Sequence, residues 1–226
     1  STMQFPVPRT IFAGTPKKTS SKEYEEYCLS KIEDKLEKDN SIAAFVMESG
    51  AQMAGGVIIY PKTFQKKISQ ICKKNDVLFV LDEIATGFGR LGSMVEYQSQ
   101  NSTPDIVSFG KMLTGGYQTF AATLTTKKIN DSFLGNFSEF KHLFHGHTYT
   151  GNPTAAALSL KNIELYEKYH LIEKIQKTST VFENRINDIS NLDVVGEIRH
   201  KGMVMGIELV QNKNSNKPLS SKTSIN

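Results

Sequence analysis

Val77-Leu78-Phe79-Val80-Leu81-Asp82-Glu83-Ile84 is an apolar run closed by two carboxylates, and Ser108-Phe109-Gly110-Lys111 places a lysine 29 positions after Asp82. Five consecutive large apolar residues suit a strand buried on both faces, the habit of a parallel sheet. In open α/β sheets, ligands sit beyond the carboxyl ends of the strands, where loops converge. An acid closing one strand and an amine just past a second short apolar run are thereby delivered to one end of one sheet.

Outward from this stretch, strand and helix signals alternate. Residues 42–47 form a short apolar run, read as a buried strand, and Gly50, Gly55 and Gly56 mark a loop after it. Residues 64–74 carry helical spacing (Phe64, Ile68, Ile71), while 106–109 and 121–126 are further strand candidates. Towards the front, Tyr24, Tyr27, Cys28, Ile32 and Leu36 share one face of a helix over 22–38, capped by Ser20 or Ser21. Asn152-Pro153 supplies a capping residue and a proline at the first helical position of a helix to about Tyr169. A helix over 171–189 and a late strand over 203–210 follow. Pro6, Pro8 and Pro16 make 1–20 an extended loop, and 212–226 reads as a polar, mobile tail or a link to an absent segment. This order predicts an α/β fold with a largely parallel sheet.

The chain has 226 residues, 38% hydrophobic and 22% charged, enough for one large domain and part of a second. Its formal charge is +4, but the lysines lie in scattered pairs (Lys17-Lys18, Lys66-Lys67, Lys73-Lys74) with no arginine-rich block. Solvated faces account for that pattern better than a nucleic-acid surface, which clusters charge on one stripe. Cys28 and Cys72 have neither metal-ligand spacing nor a disulfide framework, in keeping with a reducing compartment. No apolar run reaches the roughly 18–20 residues needed to span a bilayer, and no basic-then-apolar signal opens the chain. The expected location is the cytoplasm.

Asp82 has two readings. A carboxylate ending so apolar a run needs a partner, which could be an arginine or a helix end, or the protonated nitrogen of a pyridine ring. Lys111 is either a surface residue, the commoner fate of lysine, or a Schiff-base lysine for pyridoxal phosphate (PLP), whose enzymes pair such a lysine with an acid at the ring nitrogen. The strand before it and Gly115-Gly116 after it favour the second reading. Glu83 points away from Asp82 by strand alternation and reads as structural, whereas Ile84 could pack on a ring face or in the core. His145-Gly146-His147-Thr148-Tyr149-Thr150-Gly151 stands just before a helix start, where hydroxyls, a glycine and backbone N–H groups suit a phosphate. A plain helix-entry loop is the alternative. Zinc at His145 and His147 is disfavoured by the lack of a nearby acidic or thiol ligand. Gly87-Phe88-Gly89-Arg90-Leu91-Gly92 lacks the spacing of a nucleotide loop.

Together LDEIATGFGR (81–90), PDIVSFGKMLTGGY (104–117), FAATLTT (120–126) and LFHGHTYTGNP (143–153) resemble the class III aminotransferases of PLP fold type I. Ala85, the AATLTT run and HGHTYTGNP point to the biotin-pathway branch, which aminates 8-amino-7-oxononanoate to 7,8-diaminononanoate with S-adenosylmethionine or lysine as donor. The resemblance implies PLP as cofactor, small-molecule substrates and a homodimer with its site at the interface, and no nucleic-acid or membrane partner. It assigns Asp82 to the pyridinium nitrogen and Lys111 to the Schiff base. It places Ile84 and Glu48 near the cofactor, Thr148 and the backbone near His147 at the phosphate of the neighbouring subunit, and Gly146 and Arg90 in the substrate pocket. Residues 1–169 would belong to the large PLP-binding domain and 170–226 to the start of a small C-terminal domain. Ser49 and Leu91 depart from the family's usual proline and threonine. The chain starts at Ser1 and is shorter than its family at both ends, so it is expected to be an internal fragment. A different ω-aminotransferase, or a remnant without catalysis, is the alternative.

Overall fold

The computed structural model describes residues 2–8, 21–213, 217 and 219. Helix α1 (Ser21–Lys38) buries Cys28, Ile32 and Leu36 of the expected face together with Leu29, whereas Tyr24 is half-buried and Tyr27 exposed. Strand β1 (Ala44–Glu48) is followed by a small antiparallel pair, β2 (Ala51–Gln52) and β3 (Ile58–Ile59). Helix α2 (Phe64–Lys74) returns the chain to β4 (Leu78–Asp82). A short helix α3 (Glu96–Ser99) precedes β5 (Ile106–Phe109), after which come β6 (Ala122–Thr125) and α4 (Lys127–Ser132). Helices α5 (Pro153–Lys168) and α6 (Leu171–Ser190) lead to an antiparallel pair, β7 (Val195–Lys201) and β8 (Val204–Leu209).

The main sheet has the order β1-β4-β5-β6. β1, β4 and β5 are mutually parallel, and β6 closes the series antiparallel to β5. Parallel neighbours require a crossover, supplied between β1 and β4 by α2, whose Phe64, Ile68 and Cys72 turn into the core. α1 packs on α2, and Lys67–Glu25 (2.9 Å), Lys74–Glu33 (3.0 Å) and Lys74–Glu37 (2.6 Å) bridge the two helices. Phe79 and Leu81 of β4 are essentially inaccessible to water. Phe88 and Phe109 meet edge to face at 5.5 Å, and Tyr166 of α5 donates from its hydroxyl to the Phe88 carbonyl at 2.8 Å. Cys28 and Cys72 sit in this same core, and no disulfide joins them.

The mainly parallel α/β class is as expected, with differences at the edges. β1 and β4 each run one residue further than read, so Glu48 and Asp82 are their last residues. The supposed loop around Gly50, Gly55 and Gly56 contains the β2–β3 pair, whose two-residue strands are too short to show a period. β7 escaped notice because Glu197, Arg199, His200 and Lys201 mask any alternation. The cap of α5 is as read: the Asn152 side chain accepts from the N–H groups of Thr154 (2.9 Å) and Ala155 (3.2 Å). Pro16, Ser20 and most of the expected tail lie outside the described residues. Among the described residues, no helix is long and apolar enough to cross a membrane.

Candidate active site

Strand register alone assembles the first part of the site. Glu48 of β1 pairs with Asp82 of β4, Asp82 with Ser108 of β5, and Ser108 with Thr123 of β6. One line of polar side chains therefore crosses the carboxyl ends of the three parallel strands. The Asp82 carboxylate is half-buried, and its Oδ1 accepts from the Ile84 N–H at 2.8 Å. Among the described residues, no lysine or arginine nitrogen comes within 4.0 Å of it, and none of them supplies the arginine partner considered from sequence. Glu48 accepts from the Met53 N–H at 2.9 Å. Burial pushes its carboxyl above the ordinary carboxylate range; the Met53 N–H opposes that, the charge of Asp82 adds to it, and the charge of Lys111 opposes it. The two acids and the lysine thus lie within electrostatic reach of one another.

Lys111 stands at the head of a 3₁₀ turn, Lys111–Thr114, with a left-handed φ of 44°. That conformation costs a side-chain-bearing residue on the order of 1–3 kcal/mol, and persists only where the surroundings impose it. Asn162 of α5 does so by donating its amide to the carbonyls of Met112 (2.7 Å) and Leu113 (3.3 Å). Thr114 ties the far side, its hydroxyl donating to the Gln118 carbonyl at 2.6 Å. Among the described residues, no carboxylate lies within 4.0 Å of the Lys111 amine.

Lys111 opens into a recess of about 930 Å³ that Ile84, Gly146 and His147 also line. Asp82 and Glu48 face a second recess of about 340 Å³ beside Phe45 and Tyr60. Between acid and amine sit Ile84 and Gly110, where an added Cβ would lie 3.2 Å from Ile84 Cγ2. An acceptor and an amine, each without a counter-charge among the described residues, and an apolar side chain next to a bare glycine fit the nitrogen, aldehyde and flat face of PLP.

Other expected residues lie apart. Thr148 is exposed and lines neither recess, in a turn closed by the His147 N–H donating to Thr150 Oγ1 at 2.8 Å. Arg90 is exposed and outside both recesses, held through its carbonyl, which accepts from the Met203 N–H at 2.9 Å. The glycines around it serve packing: a Cβ on Gly89 would meet Ile175 of α6 at 2.5 Å. His147 Nδ1 accepts from the Tyr149 N–H at 3.2 Å, a turn contact. No metal-binding cluster occurs among the described residues. Sequence reasoning missed Gln118 and Thr119, which line the lysine recess with no motif to betray them, and gave no site role to Phe120 beside them. It also undervalued Ser49, whose N–H donates to the Asp82 carbonyl at 2.9 Å, a bond proline cannot make.

Fold and strand-end chemistry define a class, the aminotransferase-type α/β proteins that carry a lysine and an acid for PLP. Within that class the chain belongs to the class III aminotransferases, whose family model matches residues 1–224. It is 39% identical over 217 residues to adenosylmethionine-8-amino-7-oxononanoate aminotransferase of Aquifex aeolicus, covering 93% of this chain and 48% of that protein. To the enzyme of that name from Staphylococcus aureus it is 43% identical, covering 81% and 41%. The crystal structure of the Methanocaldococcus jannaschii adenosylmethionine-8-amino-7-oxononanoate aminotransferase aligns with a TM-score of 0.81 at 41% identity, covering 87% of this chain and 46% of that one. The chain spans less than half the length of these relatives.

Proposed function

We propose that this chain is the cofactor-holding part of a PLP-dependent aminotransferase that transfers an amino group to 8-amino-7-oxononanoate in biotin synthesis. The observation that carries the reading is the pairing of Asp82 and Lys111 at adjacent strand ends, each without a counter-charge among the described residues, in a chain of this family. When bound, PLP supplies an electron sink for the carbon that loses its proton. In this reading Asp82 holds the ring nitrogen protonated, and Ile84 covers one ring face. The Lys111 Nζ would hold the cofactor and, when free, would serve as the base and acid that moves the donor carbon's proton. Glu48 lies beside the ring, and Gly146 leaves room for the substrate chain. The relatives' names support the substrate, and S-adenosylmethionine as donor.

The complete site belongs to a homodimer in this proposal, with the His147–Thr148 backbone and the Thr148 hydroxyl serving the neighbouring subunit's phosphate. That assignment suits a turn exposed in the single chain. Residues 1–169 form the cofactor domain and 170–226 begin the smaller one. The test is to add PLP to the purified chain, reduce with borohydride and map the modified lysine by mass. Label on Lys111 and its loss in Lys111→Ala are expected; label elsewhere, or none, would overturn the assignment.

A further inference from the structure

Glu83 follows Asp82 and leaves β4 on the opposite side, as successive strand residues must. Its side chain is fully buried. Its Oε2 accepts from the Glu96 N–H at 2.8 Å and its Oε1 from the Tyr97 N–H at 2.5 Å. Its backbone is equally engaged, the N–H donating to the Ser108 carbonyl at 2.8 Å and the carbonyl accepting from the Gly87 N–H at 3.0 Å. Both sides of its carboxylate and both backbone groups are thus in use, yet among the described residues no lysine or arginine pairs with it. Taking a carboxylate out of water without a cation is costly. A packed apolar side chain would serve the core better if stability were its whole task.

We propose that Glu83 is a positioning residue for Asp82, the anchor that sets the direction in which β4 presents that carboxylate to the cofactor. Turning the strand end enough to re-aim Asp82 would pull Glu83 off both amides. Ser49, just past β1, reinforces the arrangement, its N–H donating to the Asp82 carbonyl at 2.9 Å. The anchor is itself braced from behind: the Glu96 carboxylate takes Ser93 Oγ (2.5 Å), Gln100 Nε2 (2.7 Å) and the ammonium of Lys201 from β7. The inference rests on Asp82 being the partner of the ring nitrogen.

The test compares wild type, Glu83→Gln and a control, Cys72→Ala. Cys72 is fully buried in α2 and lines neither recess. Each purified chain is titrated with PLP, the visible band is followed against pH, and thermal unfolding is recorded. Glu83→Gln presents an NH₂ to a backbone N–H at one of its two amide contacts. It should raise the PLP dissociation constant about tenfold, in line with the sensitivity of such sites to small misplacements, and shift the pH midpoint of the band. Cys72→Ala, which leaves a cavity in the core, should lower the unfolding temperature and leave both cofactor readouts unchanged. If Glu83→Gln does not fold, Glu83→Asp is read the same way, since the shorter carboxylate cannot reach both amides. Unchanged PLP affinity and band in the folded Glu83 variant would overturn the proposal while leaving Lys111 labelling intact. A wild-type chain that is not labelled at Lys111 would sink the site assignment and this inference with it.

Discussion

Glu48 and Glu83 carry the same side chain at neighbouring strand ends and meet different surroundings. Burial raises the proton affinity of both, but Glu83 is fully enclosed and held by two amides, whereas Glu48 is half-open with the Met53 N–H. A carboxyl whose affinity is raised by folding favours the folded state in its protonated form. Its penalty is absent below the ordinary value of 4.5 and sets in as the pH rises through the raised one. Glu48→Gln, which keeps an acceptor for Met53, should therefore stabilise the chain most at neutral pH. The gain should vanish below pH 4.5, as urea unfolding at a series of pH values would reveal. Asp82→Asn keeps the acceptor for Ile84 and removes only the charge. Stability should change by less than about 1 kcal/mol, because that hydrogen bond survives. The transamination rate of the complete enzyme should fall by about a hundredfold or more, the scale of losing one electrostatic stabiliser of a transition state; a single-turnover measurement tests this.

At the scale of elements, the C-terminal hairpin is joined to the cofactor half at several points. Gly202, at the β7–β8 turn with φ 60°, would bring an added Cβ within 2.3 Å of the Leu91 carbonyl carbon. Arg199 of β7 donates to the carbonyls of Gly56 (2.8 Å) and Val57 (3.1 Å). Gly202→Ala meets backbone rather than a movable side chain and adopts a left-handed φ. It should cost on the order of 3 kcal/mol, strain and overpacking together, measurable as a lowered urea midpoint. The sequence revealed α1, β1, α2, β4, β5, β6, α5, α6 and β8, through apolar runs or helical spacing. β4 was legible to the residue that matters because Asp82 ends an apolar run abruptly. β7 was not, because its inward residues include Arg199, which is buried through pairs with Glu197 and Glu208 at 3.0 Å. The partner that makes a charged side chain a core residue lies elsewhere in the chain. Lys111 was legible through its flanking glycines, whereas its clamp, Asn162, lies some fifty residues on and carries no local signal.

The whole molecule leaves one broad surface uncovered. Phe137, Phe140, Leu143, Phe144 and Tyr149 are all more than 60% exposed, clustered in sequence around the turn assigned to the neighbouring subunit's phosphate. Scattered apolar residues are ordinary on a protein surface, but a contiguous set of this size marks an interaction face. Under the homodimer proposal, Phe137→Asp with Phe144→Asp should convert a dimer to monomer in sedimentation equilibrium. The same double change should also weaken PLP retention, because Thr148 would no longer reach the opposite site. A variant that remains dimeric would place the interface elsewhere.

The two core thiols have a practical consequence. Burial, with the charge of Asp105 adding to it, pushes the Cys72 thiol up to about 12, and both sulfurs are shielded from water. An alkylating reagent needs the thiolate, so in the closed molecule neither sulfur should react at neutral pH. Any labelling then counts openings of the α1–α2 layer. Its rate, with and without PLP, would report how strongly the cofactor at one end of the sheet holds the helices over its flank, from two atoms that evolution has already placed there.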